Sequence, residues 1–176
     1  MTPTRARASL RGVDRLSALD ASFLRVETPT AHMHVGWMAT VDLPRGCEQL
    51  DADEVVTRIS GRLHLLPRFR QVIREPVGGL APPYWADAED FRIADHLTVD
   101  DAECPSLEAL MALGEEFFST PLPRDRPLWH LHVVRQLGGR RAAILGKVHH
   151  AMVDGVAAVQ LGLLLFDGTA EAPAGL

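Results

Sequence analysis

The stretch from Leu128 to Gly155 limits what this chain can fold into more than any other. Leu128, His130, His132 and Val134 alternate with Trp129, Leu131, Val133 and Arg135, the period of a β-strand. Gly138-Gly139 follows as a hairpin signal. Residues 141–148 then return as a second strand, whose apolar run Ala142-Ala143-Ile144-Leu145 reads as buried. This strand leads into His149-His150-Ala151-Met152-Val153-Asp154-Gly155. Beyond it, the apolar residues of 156–166 continue without a breaker until Asp167-Gly168, which predicts a helix from about Val153 to Phe166. Two histidines are therefore expected at a strand-to-helix corner, where a rigid support can expose a base.

The residue types at that corner allow three readings. One histidine can act as a general base, since imidazole titrates near pH ~6.5. Asp154 would then orient the ring, or hold the loop by accepting backbone N–H groups at the helix start. Gly155 permits a tight corner that a Cβ would obstruct. Alternatively, the pair is an ordinary polar strand end. Or His150 and Asp154, four apart, are half of a metal site.

The rest of the chain supplies a sheet and its cover. Asp14–Leu24 predicts a short helix, capped by Ser17 with Asp20 at its third position. His32–Asp42 alternates as a strand, with His32 and His34 on one side. Two such histidines suggest a metal site, but no third ligand is evident, and polar residues on one face is the preferred reading. A helix is expected from Asp51 or Asp53 to about Leu65, ended by Pro67, with Val55, Val56, Ile59, Leu63 and Leu66 as its core face. Phe69–Arg74 reads as a strand with Arg68, Arg70 and Arg74 on one face, either solvated or facing the phosphates of a nucleotide-bearing ligand. Tyr84-Trp85-Ala86 and Phe91–Leu97 read as short extended segments. Ser106–Ser119 is amphipathic and capped by Ser106. Pro121, Pro123 and Pro127 impose an extended approach to the next strand, on which Trp129 is expected to anchor the core.

Strands and helices in this mixture predict an α/β fold, a mixed β-sheet covered by helices. Residues 1–12 are expected to be a flexible arm, 13–168 one folded unit, and 169–176 a loose tail. A net charge of −5 argues against general nucleic-acid binding. Cys47 and Cys104 form neither a disulfide framework nor a paired ligand motif, which fits a reducing cytoplasmic setting. No apolar core follows Arg5, Arg7 and Arg11, so no signal peptide is expected. The longest apolar run falls short of the ~20 residues that span a bilayer, so any membrane or lipid-inclusion contact would be peripheral.

The motif His149-His150-x-x-x-Asp154-Gly155 after an apolar strand resembles the active-site signature of the chloramphenicol acetyltransferase-like superfamily, which includes peptide-synthetase condensation domains. Other stretches narrow the resemblance to the bacterial wax ester synthase/diacylglycerol acyltransferases. Leu16-Ser17-Ala18-Leu19-Asp20-Ala21-Ser22-Phe23-Leu24 is similar to their opening, and Met33-His34-Val35-Gly36 to their first strand. Leu66-Pro67-Arg68-Phe69-Arg70-Gln71, then Asp90-Phe91 with His96, follow in the family's order. Pro127-Leu128-Trp129 with Leu137 resembles a second family motif. Pro123 departs from it, since relatives usually carry aspartate there.

The resemblance implies one lobe of a two-lobe fold, with the motif histidine facing a tunnel between lobes. The match covers the first lobe, so a second lobe or self-association is expected to complete the tunnel. It implies acyl-CoA as co-substrate, with no bound cofactor and no metal. The acceptor would be diacylglycerol or a long-chain alcohol. His150 would be the general base, His149 an adjacent support, and Asp154 and Gly155 the structural support of the loop. The other expectations are a truncated, non-catalytic lobe that binds acyl chains or a partner lobe, and a condensation-type lobe acting on carrier-bound acyl groups.

Overall fold

The computed structural model describes residues 14–76, 78 and 81–152. The expected arm (1–12), tail (169–176), motif helix (153–166), Asp154 and Gly155 lie outside the described residues.

Helix α1 (Ala18–Val26) begins where Ser17 Oγ accepts the Asp20 N–H, the cap that the sequence predicts; the Asp20 carboxylate takes the Ser17 hydroxyl at 2.7 Å. Strand β1 (His34–Asp42) follows. In α2 (Ala52–Arg62) the cap is Asp51, which accepts from Asp53 and Glu54 N–H. The α-helix stops at Arg62, three residues before the expected end, and tightens into a 3₁₀ turn over Leu63–Leu65 ahead of Pro67. Val55, Ile59 and Leu63 are its buried positions.

The strand expected over Phe69–Arg74 forms only in part. Pro67–Arg70 is a 3₁₀ turn, and only Gln71–Arg74 is extended, as β2. Proline's fixed φ suits the first position of such a turn. Arg68, Arg70 and Arg74 consequently do not share a strand face. Arg68 instead pairs with Asp14 and lies 4.3 Å over the Trp85 ring, and Arg70 lies over Phe91. β3 (Tyr84–Asp87) pairs antiparallel with β2 in a separate two-stranded sheet. The segment expected to be extended from Phe91 contains a 3₁₀ turn at Ile93–His96 before β4 (Leu97–Asp100).

α3 (Leu107–Ser119) is capped by Ser106, and β5 (Trp129–Leu137) and β6 (Arg141–His149) form the expected hairpin. Its turn places Gly139 at φ +81°, where a Cβ would be strained. The main sheet runs β1-β6-β5-β4. β6 is antiparallel to both neighbours, while β4 runs parallel to β5. The sheet is thus mixed, with helix-bearing cores on its two faces.

One core packs α1 and α2 residues such as Ala21, Val55 and Ile59 against Trp129, Leu131, Val133, Ile144 and Val148. The other packs Leu110 and Phe117 of α3 against Val134, Leu137, Ala143 and Leu145. Strand alternation delivers the two sets. At the β1–β6 pairing, glycine is required twice. A Cβ on Gly36 would lie 2.2 Å from the Phe118 ring, and one on Gly146 2.6 Å from the Trp37 ring. Gly146→Ala is expected to cost about 1–3 kcal/mol, because the indole must shift in a packed layer. Thermal unfolding of the variant measures this, and an unchanged midpoint would show that Trp37 moves freely.

Candidate active site

β6 delivers the two histidines to the sheet's end, where backbone bonds fix them. The His149 N–H donates to the Leu128 carbonyl at 2.9 Å, and the His150 N–H to the Met33 carbonyl at 2.8 Å. Residues 150–152 continue as a 3₁₀ turn against α1. The corner is therefore clamped between the approaches to β5 and β1.

The two imidazoles have different environments. His149 is fully buried, and its Nδ1 accepts the Ala151 N–H at 3.0 Å. An accepting Nδ1 places the ring proton on Nε2. Burial pushes the His149 pKa down to about 4, with Arg124 acting in the same direction and Glu27 against it. His149 is therefore neutral at physiological pH and closed to solvent. His150 is only half-buried, and its ring stacks on Phe23 of α1 with centroids 4.8 Å apart. Among the described residues, no side chain hydrogen-bonds this ring. Of the two, His150 is the ring that is not fully buried.

Because the folded His149 pKa lies below the ordinary 6.5, the unfolded chain takes up the extra proton between these values. The stability held by keeping this ring neutral is complete above about pH 6.5 and is lost as pH falls toward 4. The swing is on the order of 3 kcal/mol. Chemical denaturation at pH 7 and pH 4.5 is expected to show a smaller pH-dependent loss in His149→Asn than in the parent. Equal losses would place the acid sensitivity elsewhere.

Several supports were not visible in the sequence. Glu27, directly after α1, pairs with Arg124 and approaches His149 Nε2 at 3.7 Å. Arg124 also donates to the Leu24 carbonyl. An isolated acidic residue beside Thr28-Pro29 gives no periodic signal, so spacing does not mark it. His32 and His34 share a face as expected and stack at 5.5 Å. Their Nε2 atoms donate to the carbonyls of Ser119 and Phe118, capping the end of α3. Lys147 completes this cap through the Phe117 and Thr120 carbonyls, and burial lowers its pKa to about 8. His96 is buried between the Phe91 and Trp129 rings and bonds the Trp129 carbonyl. Among the described residues, no group of three or more His, Cys, Asp or Glu is arranged to hold a metal ion.

A separate cavity of about 540 Å³ lies on the α3 side, lined among others by His130, His132, Asp100 and Lys147. His132 pairs with Asp100 at 2.8 Å there. His150 does not line it.

The sheet order, the helices on both faces and the clamped His-His corner define a lobe of the acyltransferase and condensation-domain fold. A wax ester synthase/diacylglycerol acyltransferase from Marinobacter aquaeolei superimposes with a TM-score of 0.67 at 26% identity, over 84% of this chain and 37% of that one. The first condensation domain of the calcium-dependent antibiotic synthetase superimposes with a TM-score of 0.65 at 18% identity, over 88% and 38%, a likeness of fold alone.

The chain belongs to the wax ester synthase/diacylglycerol acyltransferase catalytic domain family, whose model matches residues 16–175. The probable diacylglycerol O-acyltransferase tgs3 of Mycobacterium tuberculosis is 36% identical over 163 residues, covering 92% of this chain and 59% of the relative. A putative diacylglycerol O-acyltransferase of Mycobacterium bovis is 35% identical over 161 residues, covering 91% and 35%. The chain thus spans between about a third and three fifths of the length of these relatives.

Proposed function

We propose that this chain is the base-bearing lobe of an O-acyltransferase that moves a long-chain acyl group from acyl-CoA to diacylglycerol or a long-chain alcohol. The observation that carries the reading is the presentation of His150. It is half-buried rather than closed off, supported by an aromatic ring and held by its backbone, beside a buried neutral neighbour. In the reaction, a His150 ring nitrogen takes the hydroxyl proton of the acceptor as its oxygen attacks the thioester carbonyl. The tetrahedral intermediate collapses, the C–S bond breaks, and the imidazolium returns the proton to the CoA sulfur. An ester and free CoA result, with no acyl-enzyme. Asp154 and Gly155 support the loop beyond the base in this scheme.

The surface beside His150 supports a lipidic substrate. Leu19 and Val26 stand 66% and 54% exposed, and they share one side of α1 with Phe23 at helical spacing. This stripe leads to the ring that stacks on His150. Among the described residues, no helix is long and apolar enough to cross a membrane, so the stripe suits a chain or a lipid surface met from one side. The scheme also needs an opposite wall and donors for the oxyanion, which a second lobe or a second copy would supply.

The test is CoA release from palmitoyl-CoA with hexadecanol or diolein as acceptor. Acceptor-dependent release supports the reading and names the acceptor class. Acyl-CoA binding without release, in the presence of a second family lobe, would overturn it in favour of a non-catalytic acyl-binding lobe. Release only with a carrier-bound acyl donor would favour condensation chemistry.

A further inference from the structure

We infer that Glu27 is a positioning residue for His150, acting through the His149 ring; this rests on the reading of His150 as the base. The Ala151 N–H donates to His149 Nδ1, so Nε2 carries the proton. Among the described residues, that Nε2–H is buried with no hydrogen-bond partner, a costly state in a packed interior. The Glu27 carboxylate, 3.7 Å away, is the anion it faces. At this separation the contact is electrostatic rather than a hydrogen bond, and burial strengthens it.

The carboxylate is itself held in place. Its two oxygens divide the work: Oε2 takes the Arg124 guanidinium and Oε1 faces His149. The Glu27 side chain is 13% exposed. Arg124 reaches past it to the Leu24 carbonyl in the last turn of α1, where a cation opposes the helix dipole. Glu27 is the residue that closes this same helix, and Phe23, one turn earlier, stacks on His150. One ion pair therefore sets two supports of His150. It sets the charge faced by the Nε2 proton of the ring that anchors the 150–152 turn, and it holds the helix end that carries the stacking ring. A surface salt bridge of ordinary worth would need neither the second oxygen nor the approach to a buried imidazole.

The experiment is NMR of the full chain with ¹⁵N-labelled histidine. In the parent, His149 is expected to be the neutral Nε2–H tautomer at pH 7, with contacts between Phe23 and His150. In Glu27→Gln the fold is retained. The exchange of the His149 ring proton is expected to speed up at least tenfold, the Phe23–His150 contacts to weaken, and Glu27→Asp to restore part of both. Where turnover is measurable, kcat is expected to fall about tenfold in Glu27→Gln with KM unchanged. A His149 Nδ1–H tautomer in the parent overturns the inference without any variant. So do unchanged His149 exchange and unchanged Phe23–His150 contacts in Glu27→Gln, even with a lowered Tm. The tautomer and contact readouts do not depend on turnover. Failure of His150 as base therefore shows separately, as normal turnover in His150→Ala.

Discussion

His150→Ala is expected to slow acyl transfer by about 10²–10⁴-fold while the chain keeps its fold. The fold survives because the corner is held through main-chain atoms. The His150 N–H bond to Met33 and the His149 N–H bond to Leu128 need no His150 side chain. The ring contributes its stacking on Phe23 and little else among the described residues, so the stability loss is expected near 1 kcal/mol, the centre of the usual range. His149→Ala should behave in the opposite way. It leaves the buried Ala151 N–H without its acceptor and costs stability first. CoA release and thermal unfolding, measured on both variants, separate the roles. The comparison is a ratio, so it holds whether turnover comes from these residues alone or needs a second lobe. Normal turnover in His150→Ala removes it as the base.

Trp129→Ala is expected to give the largest loss of stability, about 3–5 kcal/mol. The indole is 1% exposed, packs at 4.5 Å against His96 and edge-on to Phe69, and donates its Nε1–H to the Phe69 carbonyl at 2.8 Å. Alanine creates a cavity and also strands a carbonyl. The cavity lies one residue beyond Leu128, whose carbonyl receives the His149 N–H. The corner is therefore expected to loosen along with the core. A fall in Tm on the order of 10 °C is expected. Trp129→Phe keeps much of the ring and loses the hydrogen bond, so about 1–3 kcal/mol should separate it from the parent. A loss below 1 kcal/mol in Trp129→Ala would mean that His96 and Phe69 close over the space.

The sheet was legible because its residues obey two-fold alternation. Leu128–Arg135 and His32–Asp42 carry that period, and strands form over Trp129–Leu137, with a register shift after Val134, and over His34–Asp42. The helix starts at Ser17, Asp51 and Ser106 were legible because a side-chain oxygen two or three residues before a free N–H is a local cause. The segment around Arg68 and Arg70 was misread because Pro67 starts a turn whose arginines find partners in Asp14, Trp85 and Phe91. Such long-range contacts leave no mark on spacing. In the site, the motif pointed to His149 and His150 and resemblance separated their roles. What the spacing could not convey was that burial and the Ala151 N–H make His149 a neutral acceptor. Nor could it give the partners Glu27, Phe23 and Arg124, which arrive from elements remote in sequence.

The clamp on the His-His corner has a consequence for how the chain acquires its site. His149 pairs in register with His34, more than a hundred residues earlier, and the two backbone bonds that fix the corner come from Met33 and Leu128. The hairpin of β5 and β6 can form from neighbouring residues, but the corner cannot. It exists only after β1 has closed the longest loop in the sheet. Contacts of such separation form slowly, since loop entropy is lost before they reward it. During refolding, hairpin hydrogen exchange protection should therefore precede the ring-current signature of Phe23 over His150, and a half-folded chain would hold the motif without its geometry.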